Sequence, residues 1–119
     1  MIPPILRFVT DDPISAALFG DRVEPFGFVF DGPALPYATW QTVSGEPLNS
    51  LSCAPDMERH RIQFDVWHDN MSGLNEAVMA LKKAMQAKGY VVSFNQSGRD
   101  TETKLYFYSF DAEFLIETL

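Results

Sequence analysis

Basic residues, cysteine and long apolar runs are all scarce in this chain, and each scarcity closes off a class of function. Nine Lys and Arg stand against sixteen Asp and Glu, a formal charge of −7 over 119 residues, and the nine are scattered from Arg7 to Lys104 without a cluster. A protein that grips nucleic acid needs a basic stripe that releases counterions from the phosphates, so gripping DNA or RNA is not expected. The acidity itself has two readings, a solvated surface or the lining of a channel through which DNA slides without sticking. Cys53 is the sole cysteine, so no intrachain disulfide can form and nothing points to an oxidising compartment. Its neighbours Ser52 and Ala54 bring no positive charge that would lower its pKa, which argues against a reactive thiolate. The apolar start "MIPPILRFV" lacks a basic n-region and soon meets Asp11 and Asp12, so neither a signal peptide nor a membrane span is expected. The expectation is a protein without membrane association that folds in the cytoplasm of the cell that makes it.

Catalytic patterns are missing too. His60 and His68 lie on one alternating stretch, roughly 26 Å apart at about 3.3 Å per residue, too far to share a metal ion. The pair His68-Asp69 reads as a local hydrogen bond. None of the serines sits in a Gly-x-Ser-x-Gly elbow, and "SGRD" precedes a strand pattern, so it is no phosphate-cradling loop. Asp11-Asp12 reads as helix capping and a solvated turn. No catalytic residue, metal site or cofactor is assigned, and the expectation is a protein that is not an enzyme.

Aromatics, in contrast, are plentiful, with ten Phe, four Tyr and two Trp. They fit sheet-rich packing or surfaces buried on assembly. With 46% hydrophobic and 21% charged residues the composition is that of a globular protein, and a chain of this size can bury about two thirds of its unfolded surface in one core. A single domain over residues 1–119 is expected.

The spacing predicts a short helix over Pro4–Thr10 and a second at "DDPISAALFGD", with Asp12 as N-cap, Pro13 at the first helical position and Gly20 as terminator. "DRVEPFGFVFDGPALP" allows a short strand around Val23 but is otherwise too punctuated by Pro and Gly for a long element. Within it Phe26, Phe28 and Phe30 alternate, either packing from an edge strand onto the core or forming an interaction patch. Tyr37–Val43 reads as a strand with Trp40 as a packing anchor. Ser44–Met57 reads as a long aperiodic loop that carries Leu48, Leu51 and Met57, expected to be mobile in a free subunit and to order on assembly.

"ERHRIQFDVWHD" alternates, with His60, Ile62, Phe64, Val66 and His68 inward. In "NMSGLNEAVMALKKAMQAKGY" Leu74, Ala77, Val78, Leu81, Ala84 and Met85 form one helical stripe, with Ser72 as N-cap and Gly89 as the stop. "YVVSFN" is a strand, "QSGRDTE" a polar turn and "KLYFYSFDAEFLIE" a last strand, burying Tyr106, Tyr108, Phe110, Ala112, Phe114 and Ile116 while wetting its other face. No βαβα alternation is visible. The fold class expected is therefore α+β, an antiparallel sheet of about four strands with helices packed on one face.

The order and spacing of these pieces resemble the tail completion, or tail terminator, proteins of long-tailed bacteriophages and prophages. The resemblance rests on "DDPISAALFGDRVEP", "LPYATWQTVSGEP", "RIQFDVWHDNMSGLNEAVMALKKAM" and "TKLYFYSFDAEFLI", and so covers nearly the whole chain. Each is a fingerprint of strand, turn or cap, and the specificity lies in their order. The chain departs from the family pattern in the extra aromatics of "FGFVFDGPA" and in a last strand without the usual late tryptophan. The resemblance implies a virion protein of the tail or neck that forms a ring, usually of six subunits, on the end of the tail tube. Such a ring stops tube polymerisation and presents the surface to which the head attaches. The implied partners are other copies of this chain, the tail tube protein and a head-connector protein, with DNA passing through ungripped. Assembly contacts are expected at Phe26, Phe28, Phe30, Leu48, Leu51 and Met57. The rival readings are another head–tail connector or adaptor of the neck, and a small cytoplasmic binding module or enzyme.

Overall fold

The computed structural model describes residues 2–25, 34–48 and 57–117. Two short helices come first, α1 (Ile5–Asp11) and α2 (Pro13–Phe19), separated by Asp12 in extended conformation. Asp12 caps α2 as its composition demands: its carboxylate accepts from the Ser15 N–H, and Pro13 fills the position whose missing N–H costs nothing. Gly20, at φ 59°, turns the chain out of α2 in the left-handed region that only glycine enters freely. Strand β1 (Val23–Pro25) follows, then β2 (Tyr37–Leu48), β3 (Met57–His68), α3 (Met71–Gln86), β4 (Tyr90–Arg99) and β5 (Tyr106–Glu117).

The sheet has five strands in the order β1-β2-β3-β5-β4. The class is α+β as expected, with one strand more than expected and a mixed sheet, because β1 runs parallel to β2 from Val23 opposite Ala38 to Pro25 opposite Trp40. The remaining neighbours are antiparallel. The central strand β3 pairs along its full length with β5, from Met57 opposite Glu117 to His68 opposite Tyr106.

The helices cover one face of the sheet, and the buried residues cluster there. Ile62, Phe64 and Val66 of β3, Phe110, Ala112 and Phe114 of β5, and Ala38 and Trp40 of β2 meet Leu74, Ala77, Val78, Leu81, Ala84 and Met85 of α3. The inward alternation of β3 and the α3 stripe therefore match the sequence. Phe64 stacks on Phe110 with centroids 5.1 Å apart, and Trp40 is buried as a packing anchor. Ser15 is buried where α2 crosses α3, and its hydroxyl donates to the Ala80 carbonyl at 2.9 Å. Gly89 follows α3 where the chain passes so close to β5 that a Cβ would collide with the Glu113 carbonyl and the Phe114 ring.

Four expectations are corrected. The N-cap of α3 is Asn70, whose side chain accepts from the Gly73 N–H at 2.6 Å; Ser72 lies inside the first turn, because the chain is already helical at Met71. Ser44–Leu48 and Met57 are not loop: β2 and β3 continue as an antiparallel pair to Leu48 opposite Met57, past a register irregularity between Thr42 and Ser44. Residues 49–56 lie outside the described residues, and with them the expectation of mobility there. Gln96–Arg99 belong to β4, and the turn is confined to 100–105, where the Asp100 N–H donates to the Leu105 carbonyl at 2.8 Å. Finally, the second face of β5 is not wet along most of its length, since Ser109 and Asp111 are buried.

Candidate assembly surfaces

The face of the sheet opposite the helices carries two layers of interaction. At one end Tyr37, Trp67 and Phe107 stand side by side across β2, β3 and β5, with ring centroids 6.1 Å and 5.3 Å apart. Burial, with the charge of Asp100 second, pushes the Tyr37 phenol above its usual range, so it stays neutral. Toward the middle a polar network replaces the aromatics. Ser109 donates to Asp65, Arg61 Nε donates to Asp111 Oδ2 at 2.7 Å, and Asn95 donates to the other Asp111 oxygen. Arg61 also reaches the Ser93 hydroxyl at 2.9 Å, so β3, β5 and β4 are tied together on this face. Both carboxylate oxygens of the buried Asp111 are therefore engaged.

The far end of the β2–β3 pair is more open. Glu46 accepts from Arg59 at 2.6 Å across the two strands, and Glu58 pairs with His60 at 2.9 Å along β3. Leu48 and Met57, two of the expected assembly contacts, face each other here as half-buried residues at the last rung. Leu51, Phe26, Phe28 and Phe30 lie outside the described residues. His60 is far along β3 from His68, whose ring bonds to Asp69 at 2.9 Å, the local contact the sequence implied. Among the described residues no group of three or more His, Cys, Asp or Glu could hold a metal ion, and no helix is long and apolar enough to cross a membrane.

Exposed apolar side chains also gather elsewhere, at the β4 edge. Tyr90 and Phe94 are 62% and 68% exposed, with Val92 between them also exposed. On α3, Met71 and Met79 are 68% and 63% exposed, off the stripe that faces the sheet. Between α3 and the sheet runs a groove of about 220 Å³ whose lining includes Met71, Leu74, Val78 and Met79 and the polar Asn75, Lys82, Ser97 and Tyr108. Lys82 is its one cation: its Nζ donates to the Tyr108 hydroxyl at 2.8 Å and sits 3.8 Å from the centre of the Phe94 ring. The groove is below the roughly 300–1,000 Å³ of pockets that enclose small molecules, a size that suits a few side chains of a protein partner.

Sequence reasoning missed this surface because β4 and α3 each read as ordinary core elements. The usable signal was that β4 runs from Tyr90 to Gly98 with no charge and no proline, the devices that usually blunt an edge strand.

The comparisons with known proteins agree with this fold. No curated protein matches the chain. A chain of a solved structure, "Virion of native gene transfer agent (GTA) particle", shares the fold with a TM-score of 0.62 at 16% identity, over 96% of this chain and 92% of that chain. The family model for tail completion protein gp17 matches residues 3–117, which takes in every helix and strand described above. The chain therefore belongs to the tail completion protein gp17 family and is a structural protein of the phage virion tail.

Proposed function

We propose that this tail protein forms a six-membered ring on the end of the tail tube, where it stops tube polymerisation and offers the surface to which the head attaches. The observation that carries the reading is the β4 edge, uncharged from Tyr90 to Gly98, where Tyr90, Val92 and Phe94 are exposed along with Met71 and Met79 of α3. A ring of identical subunits needs two different, complementary side surfaces on each, and this sheet has two unlike edges, β1 and β4. Its partners are further copies of itself, the tail tube protein and a head-connector protein, and its role is structural rather than catalytic. The β2–β3 end, with Leu48, Met57 and the intervening Leu51, is the part offered to a neighbour or to the tube. Acidic side chains toward the lumen let DNA pass without binding.

Negative-stain microscopy of particles made without this protein tests the reading. Overlong tails are the expected result. Tails of normal length that lack heads would make it a neck adaptor instead, and normal particles would remove it from both roles.

A further inference from the structure

Among the described residues none fills the groove between α3 and β4, and its chemistry is specific enough to name what does. We infer that it receives the segment Phe26-Gly27-Phe28-Val29-Phe30-Asp31 of a neighbouring subunit; this rests on the ring reading above and says which surface makes the ring contact.

The groove is apolar along Met71, Leu74, Val78 and Met79, has Asn75 and Ser97 as neutral polar groups, and presents one cation among the described residues, Lys82, against which the exposed Phe94 ring rests. Among the described residues no carboxylate lies within ion-pair distance of Lys82; its partners are the Tyr108 hydroxyl and aromatic rings. The complementary ligand is a short apolar, aromatic stretch with one acid at its end. In this chain "FGFVFD" is such a stretch: three Phe at alternate positions, which share one side of any extended backbone, followed directly by Asp31. Methionines suit the docking of rings because their thioethers adapt and make favourable sulfur–aromatic contacts. The register irregularities of β4 at Val91/Ser93 and Phe94/Gln96 bend this edge, so side-chain insertion, not a long added ladder, is the mode of contact.

The segment cannot reach the groove of its own chain. It leaves from Pro25 at the end of β1 and returns at Ala34 before β2, while β4 is at the opposite edge of the sheet. Four strand spacings of about 4.8 Å set those edges about 19 Å apart. The nine steps from Pro25 to Ala34 span about 31 Å fully extended. Laying Phe26–Phe30 along the groove uses about 13 Å, and the remaining 18 Å or so cannot cover the sheet both outward and back. The occupant is therefore a second copy. The contact joins two unlike surfaces, so it is head-to-tail and propagates until the rotation closes.

The test is a cysteine pair. In a Cys53→Ser background, Phe28→Cys is combined with Met79→Cys, a residue exposed enough to leave the fold intact, as circular dichroism would verify. Mild oxidation of the concentrated protein, and of tails carrying it, should give a covalent ladder beyond the dimer that neither single variant gives. A fast-migrating crosslinked monomer would overturn the inference by showing occupancy within one chain. A ladder from Leu51→Cys with Met79→Cys in place of the Phe28 pair would overturn it in favour of the β2–β3 connection. No ladder from either pair, while light scattering still finds oligomers of the unmodified protein, would overturn the groove assignment and leave the ring standing. Unmodified protein that stays monomeric in solution and on tails would remove the ring itself, and this contact with it.

Discussion

Replacing Asp111 with alanine tests whether the helix-free face of the sheet is a structural layer or merely a wetted surface. Asp111 is buried, and its two oxygens accept from Arg61 and Asn95. Removing it takes one acceptor from Arg61, which keeps the Ser93 hydroxyl, and one from the exposed Asn95, whereas breaking a fully buried pair by deleting one partner costs about 3–5 kcal/mol. Arg61 is 34% exposed and can recover water, which lowers the expectation to about 2–3 kcal/mol, in line with the lost charged hydrogen bonds. With a urea slope of about 2 kcal/mol/M for a chain of this size, the unfolding midpoint should fall by about 1–1.5 M. Arg61→Ala should cost at least as much, about 2–3 kcal/mol, because it leaves the buried Asp111 carboxylate with Asn95 alone. The double variant should destabilise by less than the two single losses added, since the residues share one interaction. The loss for Asp111→Ala should also persist in 1 M salt, where exposed pairs are screened and buried ones largely are not. A midpoint within 0.2 M of the unmodified protein, or an effect that vanishes with salt, would refute the assignment of Asp111 to a sealed layer.

Other expectations are more local. Gly89→Ala should destabilise by about 2 kcal/mol or more, because its Cβ meets the Glu113 carbonyl and the Phe114 ring and backbone must shift; an unchanged Tm would refute that close approach. Asn70→Ala should cost about 1 kcal/mol in chemical denaturation as α3 loses its cap, whereas Ser72→Ala should be nearly silent, and the reverse order would restore Ser72 as the cap. The Asn70 side chain, then the His68 ring, holds the Asp69 carboxylate below its usual pKa, so the stability it contributes is present above the ordinary carboxylate pKa and lost as pH falls through the lowered value. Carboxyl NMR titration of the Asn70→Ala variant should show the Asp69 pKa moving upward, and no movement would discount the Asn70 bond. Phe64→Ala should cost about 3–5 kcal/mol by opening a cavity against Phe110, measured by the same urea titration.

The elements that could be read from the sequence are those whose burial follows a single period. Ile62, Phe64 and Val66 of β3 and the Leu74–Met85 stripe of α3 are in contact because each repeats at the spacing of its own element. The extension of β2 was hidden by Gly45 and Pro47, which look like loop residues. Among the described residues β1 covers β2 only as far as Trp40, so no described strand pairs with Pro47 on that side and its missing N–H is tolerated. The burial of Asp111 was invisible for another reason: its partner Arg61 is fifty residues away, brought diagonally within reach only by the β3–β5 pairing, which sets Gln63 opposite Asp111. The cap of α3 was misplaced because Asn70 and Ser72 are both competent, and only the extended backbone at Asn70 decides between them. Of the candidate contacts, Leu48 and Met57 fall together at the end of one strand pair, whereas the groove at Lys82 depends on three elements meeting and no linear pattern announces it.

The strand order also governs when a newly made chain becomes competent to assemble. β4 is synthesised before β5, yet β5 lies between it and the rest of the sheet. Until β5 has emerged, β4 has no strand to pair with and the Tyr108 side of the groove does not exist. A nascent or truncated chain that stops short of β5 can therefore display the Phe26–Phe30 segment but no site to receive it. Such a fragment could take one place at the growing end of an assembly, yet the next subunit could not dock on it. On the ring contact proposed above, β5 acts as a licence for polymerisation, and quality control of that ring rests in the folding of each subunit.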